Sequence, residues 1–182
     1  ARNGYKVGAK HTTGVTAFAN MDRADMGIHT IYTGKALGRI EEMNGTNGFD
    51  ILKYHIEMGH NVARVDIAID FFNCGLDVQT FVDEWQYGNC VTRLRSCNEV
   101  RGLDNDGHTL YIGSQKARKK LVRIYNKAAE QEVDMNWVRC ELQLMGKPAT
   151  KLSLLWLESG EDNSFMMRAI KEVVDFPTIT EW

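Results

Sequence analysis

Residues 64–72 read Arg64-Val65-Asp66-Ile67-Ala68-Ile69-Asp70-Phe71-Phe72. Side chains along a strand point alternately to opposite faces, and over 64–71 this stretch divides cleanly on that rule. Val65, Ile67, Ile69 and Phe71 share one face; Arg64, Asp66, Ala68 and Asp70 share the other. Two later stretches divide the same way. In 121–127, Val122 and Ile124 oppose Arg123, Tyr125 and Lys127. In 137–144, Val138, Cys140, Leu142 and Leu144 oppose Trp137, Arg139, Glu141 and Gln143. The apolar sets need helices to cover them. The other sets then converge on one open sheet face carrying carboxylates, arginines, a lysine and a phenol.

Parity alone leaves two readings of that face open. Arg–Asp and Arg–Glu pairs decorate many solvated sheets, each contributing a fraction of a kcal/mol. Aspartate is nevertheless unfavourable in mid-strand, which favours a functional reason for it. Asp66 and Asp70 stand roughly 13 Å apart along an extended strand, too far to ligate one ion together without a bulge. Either can share a site with Glu141 from a neighbouring strand, and carboxylates suit Mg²⁺ or Mn²⁺. Tyr125 has two readings as well. A phenol titrates near about pH 10 and is a poor nucleophile at neutral pH, but Arg123 and Lys127 on the same face would favour the phenolate. A metal-polarised phosphodiester would suit it as an electrophile. The plainer reading is a half-exposed strand tyrosine.

The chain has 182 residues, which suits one domain or two very small ones. A hydrophobic fraction of 43% and a charged fraction of 25% exclude disordered and collagen-like classes. No apolar run reaches the roughly 20 residues of a membrane helix, and the start, Ala1-Arg2-Asn3-Gly4, has no signal-peptide pattern. The cysteines at 74, 90, 97 and 140 form no Cys-x-x-Cys pair and precede no zinc-finger histidine, so they read as reduced thiols of a cytoplasmic protein. A net charge of −2 hides local asymmetry. Between 113 and 127 lie Lys116, Arg118, Lys119, Lys120, Arg123 and Lys127 without an acid, whereas 158–182 is acidic. The first stretch can meet phosphates. The start at Ala1 and the abrupt end at Trp182 suggest one catalytic domain, 1–182, excised from a longer protein.

Working outward, the Gly- and Thr-rich first forty residues read as short strands at 5–7, 15–18 and 28–33. Asn47-Gly48 opens an amphipathic helix that Gly59 closes. After the strand at 62–72, Asp77 caps a helix running to Gly88. Residues 89–107 are polar and irregular apart from a short strand near 91–94. Asp106-Gly107 marks a turn before strands at 109–112, 121–126 and 136–144, with a helical turn at 127–132 between the last two. Helices at 148–160 and 163–174 follow, the second stopped by Pro177. The pattern predicts an α+β fold: a central antiparallel-type sheet, helices packed on one face, and an open polar face opposite.

Four segments then form an ordered series: Arg64-Val-Asp66-Ile-Ala-Ile-Asp70, Thr109-Leu-Tyr111-Ile-Gly113-Ser114, Arg123-Ile-Tyr125-Asn-Lys127 and Trp137-Val-Arg139-Cys-Glu141-Leu. Spanning about 64–144, with Glu130 also fitting, the series resembles the Rep_trans group of rolling-circle replication initiators. That group includes plasmid and filamentous-phage initiators and related relaxases of conjugative elements, and the resemblance implies a Rep/HUH-like nickase fold. It implies a metal-dependent DNA endonuclease and strand transferase in which Tyr125 attacks the scissile phosphate. The products would be a 5′-phosphotyrosine link and a free 3′-hydroxyl. Asp66, Asp70 and Glu141 would hold Mg²⁺ or Mn²⁺, and Arg123, Lys127 and Arg139 would steady phosphate and transition-state charge. Lys116, Arg118, Lys119 and Lys120 would track the DNA backbone, with Arg64 and Tyr111 on the same DNA-binding face.

The implied partners are an origin, single-stranded or as a hairpin, and a host helicase and polymerase in a bacterial cytoplasm. Family members are generally longer, so origin-recognition or dimerisation elements, including those of a homodimer, are expected outside this chain. The histidines at 11, 29, 55, 60 and 108 form no His-x-His pair, which favours carboxylates over histidines as metal ligands, with His60 and His108 unranked. Tyr111 and Trp137 can stack on unpaired bases or simply pack at a sheet edge. The competing function is a non-catalytic single-strand-binding domain, in which Tyr125 is a stacking platform and the acids are salt-bridge partners.

Overall fold

A computed structural model describes residues 4–103, 107–116, 119–160, 162 and 164–182. Asp106, Arg118 and Asn163, which carry three of the expectations above, lie outside the described residues. The chain divides into two compact units, Ala1–Gly59 and His60–Trp182.

In the first unit, β1 (Val7–Lys10), β2 (Thr16–Ala19) and β3 (His29–Ile31) form an antiparallel sheet in that order. The first strand lies slightly later than the predicted 5–7. Helix α1 (Gly34–Asn44) follows, where the sequence reading had no element. Its two glycines lower helix propensity, which masks an apolar stripe at Ala36, Leu37, Ile40 and Met43. The Thr33 side chain starts it by accepting from the Ala36 amide. Helix α2 (Gly48–Glu57) matches expectation, with a capping box between Asn47 and Asp50.

The second unit runs β4 (Arg64–Phe72), α3 (Val78–Gln86), β5 (Val91–Thr92), β6 (Cys97–Arg101), β7 (His108–Ile112), β8 (Lys120–Asn126) and α4 (Lys127–Gln131). Strand β9 (Trp137–Met145), helices α5 (Lys147–Ser159) and α6 (Ser164–Lys171), and strand β10 (Val174–Asp175) complete it. Five strands make an antiparallel sheet in the order β4-β9-β8-β7-β6, while β10 pairs with β5. The sequence reading missed β6, because its residues are mostly exposed and alternate in nothing. It also missed β10, two residues that gain strand geometry only from β5. The last helix ends at Lys171, well before Pro177, because the chain turns into β10 first.

The apolar parity is borne out. Ile67, Phe71, Leu110, Ile112, Val122, Ile124, Val138, Cys140, Leu142 and Leu144 are buried in one cluster with residues of α3, α5 and α6. Trp182 belongs to the same core, its ring T-shaped against Phe81 and Phe176 at centroid distances of 5.8 and 5.3 Å. Gly113, with φ 108°, ends β7 where an added Cβ would sit 2.8 Å from the Lys120 carbonyl oxygen, so the turn into β8 requires glycine.

Leu142 is fully buried at the centre of that layer. Leu142→Ala should destabilise the protein by about 2–5 kcal/mol in urea unfolding. A loss of less than about 0.5 kcal/mol, as for a surface site, would contradict this packing.

Candidate nucleic-acid cleavage site

Backbone pairing, rather than sequence proximity, assembles the polar face. Strand register places Tyr111 opposite Arg123, Arg123 opposite Glu141, and Glu141 opposite Ala68. The adjacent row reads Thr109, Tyr125, Arg139, Asp70. One row the other way, Leu121, Gln143 and Asp66 align. In this third row Leu121 and Gln143 are buried while Asp66 is exposed.

Tyr125 stands at the junction of the first two rows. Its hydroxyl donates to Glu141 Oε1 at 2.6 Å, while Arg123 Nη2 binds Glu141 Oε2. Glu141 is largely enclosed, its side chain 13% exposed. Arg139, opposite Tyr125, grips Asp70 through two parallel bonds, Nε to Oδ1 and Nη2 to Oδ2, each 2.7 Å. Trp137 Nε1 adds a third bond to Asp70 Oδ1 at 2.6 Å. Asn126 ends β8 and caps α4, its side chain accepting from the Ala129 amide. Lys127 thereby starts the helix, pairs with Glu130 and lies 5.7 Å from the Tyr125 ring centroid.

The electrostatics differ from the expectation that flanking cations favour a phenolate. Burial raises the Tyr125 pKa, the hydrogen bond to Glu141 and the charges of Glu141 and Glu130 raise it further, and Arg139 opposes them only in part. Arg123 and Lys127 are each paired with a glutamate, Glu141 and Glu130, and it is these glutamates whose charges raise it. The phenol is held protonated, with a carboxylate at its proton. For Asp70, burial pushes the pKa up, but the Arg139 and Trp137 hydrogen bonds outweigh it, and the carboxyl sits below the ordinary value.

The remaining expected residues fall outside this cluster. Asp66 pairs with Arg64 on its own strand, at 2.7 Å from Nε to Oδ1. Lys116, Lys119 and Lys120 are exposed around the β7–β8 turn, and Lys120 begins the strand roughly 16 Å from Tyr125. Tyr111 lies on the face beside Arg123, half-buried. His108 bonds Glu99 at 2.8 Å and has the parity of the apolar face. Its neighbours include a polar groove of about 370 Å³ bordered by Gln79, Asn126, Asn136 and Trp137. The N–H of Trp137 was missed as a partner of Asp70, although strand parity already put both on one side.

The three carboxylates have the oxygen chemistry that Mg²⁺ or Mn²⁺ takes, but their placement does not gather them. Asp66, Glu141 and Asp70 occupy three successive rows, and each faces an arginine. Among the described residues no group of three or more His, Cys, Asp or Glu side chains could hold a metal ion. Glu141 with either Asp66 or Asp70, the pair expected to hold the ion, would have to give up these arginine contacts to do so.

Comparison with known proteins bears on the whole unit. A family model described as replication initiation factor, Rep_trans, matches residues 60–181. The chain belongs to the Rep_trans family. The match begins where the second compact unit begins, so the unit carrying Tyr125 is the Rep_trans portion of the chain. The chain is also 24% identical over 189 aligned residues to the putative DNA relaxase NicK of Bacillus subtilis (strain 168), covering 95% of this chain and 53% of NicK. It therefore spans about half the length of that curated relative. A solved rolling circle replication initiator protein from Geobacillus stearothermophilus superposes with a TM-score of 0.78 at 22% identity, over 97% of this chain and 69% of that one. The Rep fold is thus shared, as expected.

Because the Asp70 pKa is depressed in the folded protein, its contribution to stability is present above about pH 4 and is lost as pH falls through the folded value. Asp70→Asn should therefore cost about 1 kcal/mol at pH 7, solvent screening at this part-exposed pair keeping the loss small. The cost should shrink at acid pH, as the carboxyl becomes protonated in the folded protein as well. Urea melts at neutral and at acid pH check this; an equal loss at both would contradict the ion-pair assignment.

Proposed function

We propose that this chain is the strand-cleaving unit of a rolling-circle initiator and that Tyr125 is its nucleophile. The observation that carries the reading is the direct bond from the Tyr125 hydroxyl to Glu141, set between Arg123 and Arg139 on a half-buried face. A phenol held protonated needs a base in contact with it at the moment of attack. Glu141 is that base: as the Tyr125 oxygen bonds to phosphorus, its proton passes to Glu141 Oε1. The bond from phosphorus to the 3′-oxygen breaks, and the leaving oxygen takes a proton from water. The products are a 5′-phosphotyrosyl link and a free 3′-hydroxyl, and attack by that hydroxyl on the link rejoins the strand.

The arginines supply the complementary charge. Phosphoryl transfer spreads negative charge over the non-bridging oxygens, and fixed guanidinium groups stabilise it without reorganising. Arg139 is held by Asp70 and Trp137, so its orientation is set before DNA arrives. Arg123 Nε is buried without a hydrogen-bond partner, so Glu141 satisfies this guanidinium only in part. Mg²⁺ or Mn²⁺, the cation implied by the resemblance, would add neutralising charge at the phosphate when bound. Lys116, Lys119 and Lys120 would follow the flanking backbone with salt-sensitive affinity.

The similarity to the putative relaxase NicK favours a second use of the same chemistry, cleavage that starts conjugative transfer. A purely DNA-gripping domain accounts for the Arg123–Glu141 pair but not for the phenol donating to the same carboxylate.

Incubation with Mn²⁺ or Mg²⁺ and a labelled single-stranded or hairpin oligonucleotide from the protein's own replicon should give a covalent adduct. Tyr125→Phe should abolish the adduct while binding stays within about twofold, since one lost hydroxyl on a retained ring leaves the phosphate contacts intact. An adduct persisting in Tyr125→Phe would overturn the assignment.

A further inference from the structure

Phe72 is the residue of the polar face that the cleavage chemistry leaves unexplained. It has the parity of Asp66 and Asp70, so it lies on the side of the sheet that carries Tyr125, and it is 52% exposed. Register sets it directly opposite Trp137, and the two rings meet at a centroid distance of 5.0 Å and an interplanar angle of 35°. Arg139 lies over the other ring of this pair, its Cζ 5.6 Å from the Trp137 centroid. The sequence Phe72, Trp137, Arg139, Tyr125 is therefore a continuous surface, aromatic at one end and cationic and nucleophilic at the other.

What sets Phe72 apart from other exposed apolar side chains is this ring contact, which makes it part of an aromatic patch on the face that carries Tyr125. Its position also has the right reach. Trp137 is two strand residues from Arg139, roughly 7 Å, about the advance of one extended nucleotide.

We propose that Phe72 and Trp137 form a stacking platform for an unpaired base next to the phosphate bound at Arg139. The occupant is a single DNA strand. An aromatic step takes the π-face of any base, Arg139 continues it with cation–π character, and neither feature suits the stacked interior of a duplex. This rests on the cleavage reading and deepens it by placing a base-stacking step beside the phosphate site. It also adds Phe72, a residue outside the four ordered segments, to the binding surface.

The test uses the 182-residue chain and a fluorescein-labelled oligothymidylate, with anisotropy as readout, so that it is independent of cleavage. Phe72→Ala should weaken binding about five- to a hundredfold, the range for loss of one stacked base, while the slope of affinity against salt is unchanged because no phosphate contact is lost. Phe72→Tyr should restore binding, which separates stacking from damage to the fold. An abasic oligonucleotide of the same length should bind wild type and Phe72→Ala alike. Wild-type affinity in Phe72→Ala, or an equal loss on the abasic strand, would overturn the platform. If the platform passes and no covalent adduct forms with replicon DNA, only the cleavage reading fails; if an adduct forms and Phe72→Ala binds normally, only the platform fails.

Discussion

The hydrogen bond between Tyr125 and Glu141 exists because β8 and β9 pair in one register. A slip of a single residue would turn every side chain of one strand to the opposite face, burying Arg123 and Tyr125 among helices and exposing Val122 and Ile124. The apolar layer prevents this. Val122, Ile124, Cys140 and Leu142 are completely enclosed, and moving any of them into water would cost about 1–3 kcal/mol. The hydrophobic side of the sheet thus fixes the alignment of the polar side. The core positions a phenol and a carboxylate that are 16 residues apart in the chain.

Charge on this face is arranged in matched pairs rather than in blocks. Each acid has its own arginine: Asp70 has Arg139, Glu141 has Arg123, and Asp66 has Arg64. Such pairing keeps half-buried carboxylates tolerable and leaves guanidinium groups in defined orientations. A phosphate approaching the face meets cations whose places are already set, and it must compete with carboxylates for them. That competition favours a strand held first by its bases and flanking phosphates.

Much of this was legible in the sequence. Alternation at 64–71, 121–127 and 137–144 assigned most of the two faces, because both sides of the sheet obey one period; the exceptions are Gln143, which is buried, and Lys127, which opens α4. The caps at Asn47 and Asp77 were equally local, since each side chain bonds a backbone amide three residues on. In the unread elements the local signal is masked or missing. Helix α1 carries Gly34 and Gly38, and β6 and β10 are strands only by virtue of their neighbours. The spacing along one strand already kept Asp66 and Asp70 from sharing an ion, but the arginine beside each acid was not legible. Only the pairing of β4 with β9 shows Asp66, Glu141 and Asp70 stepping through successive rows, each beside an arginine.

The position of the covalent link is the decisive measurement. Trypsin cleaves after Arg123 and Lys127, releasing Ile124-Tyr125-Asn126-Lys127 as a short peptide. Mass spectrometry of the digested protein–oligonucleotide adduct should find the nucleotide on that peptide, on the tyrosine. A nucleotide attached to Tyr111, or to any residue off the β8 row, would contradict the account.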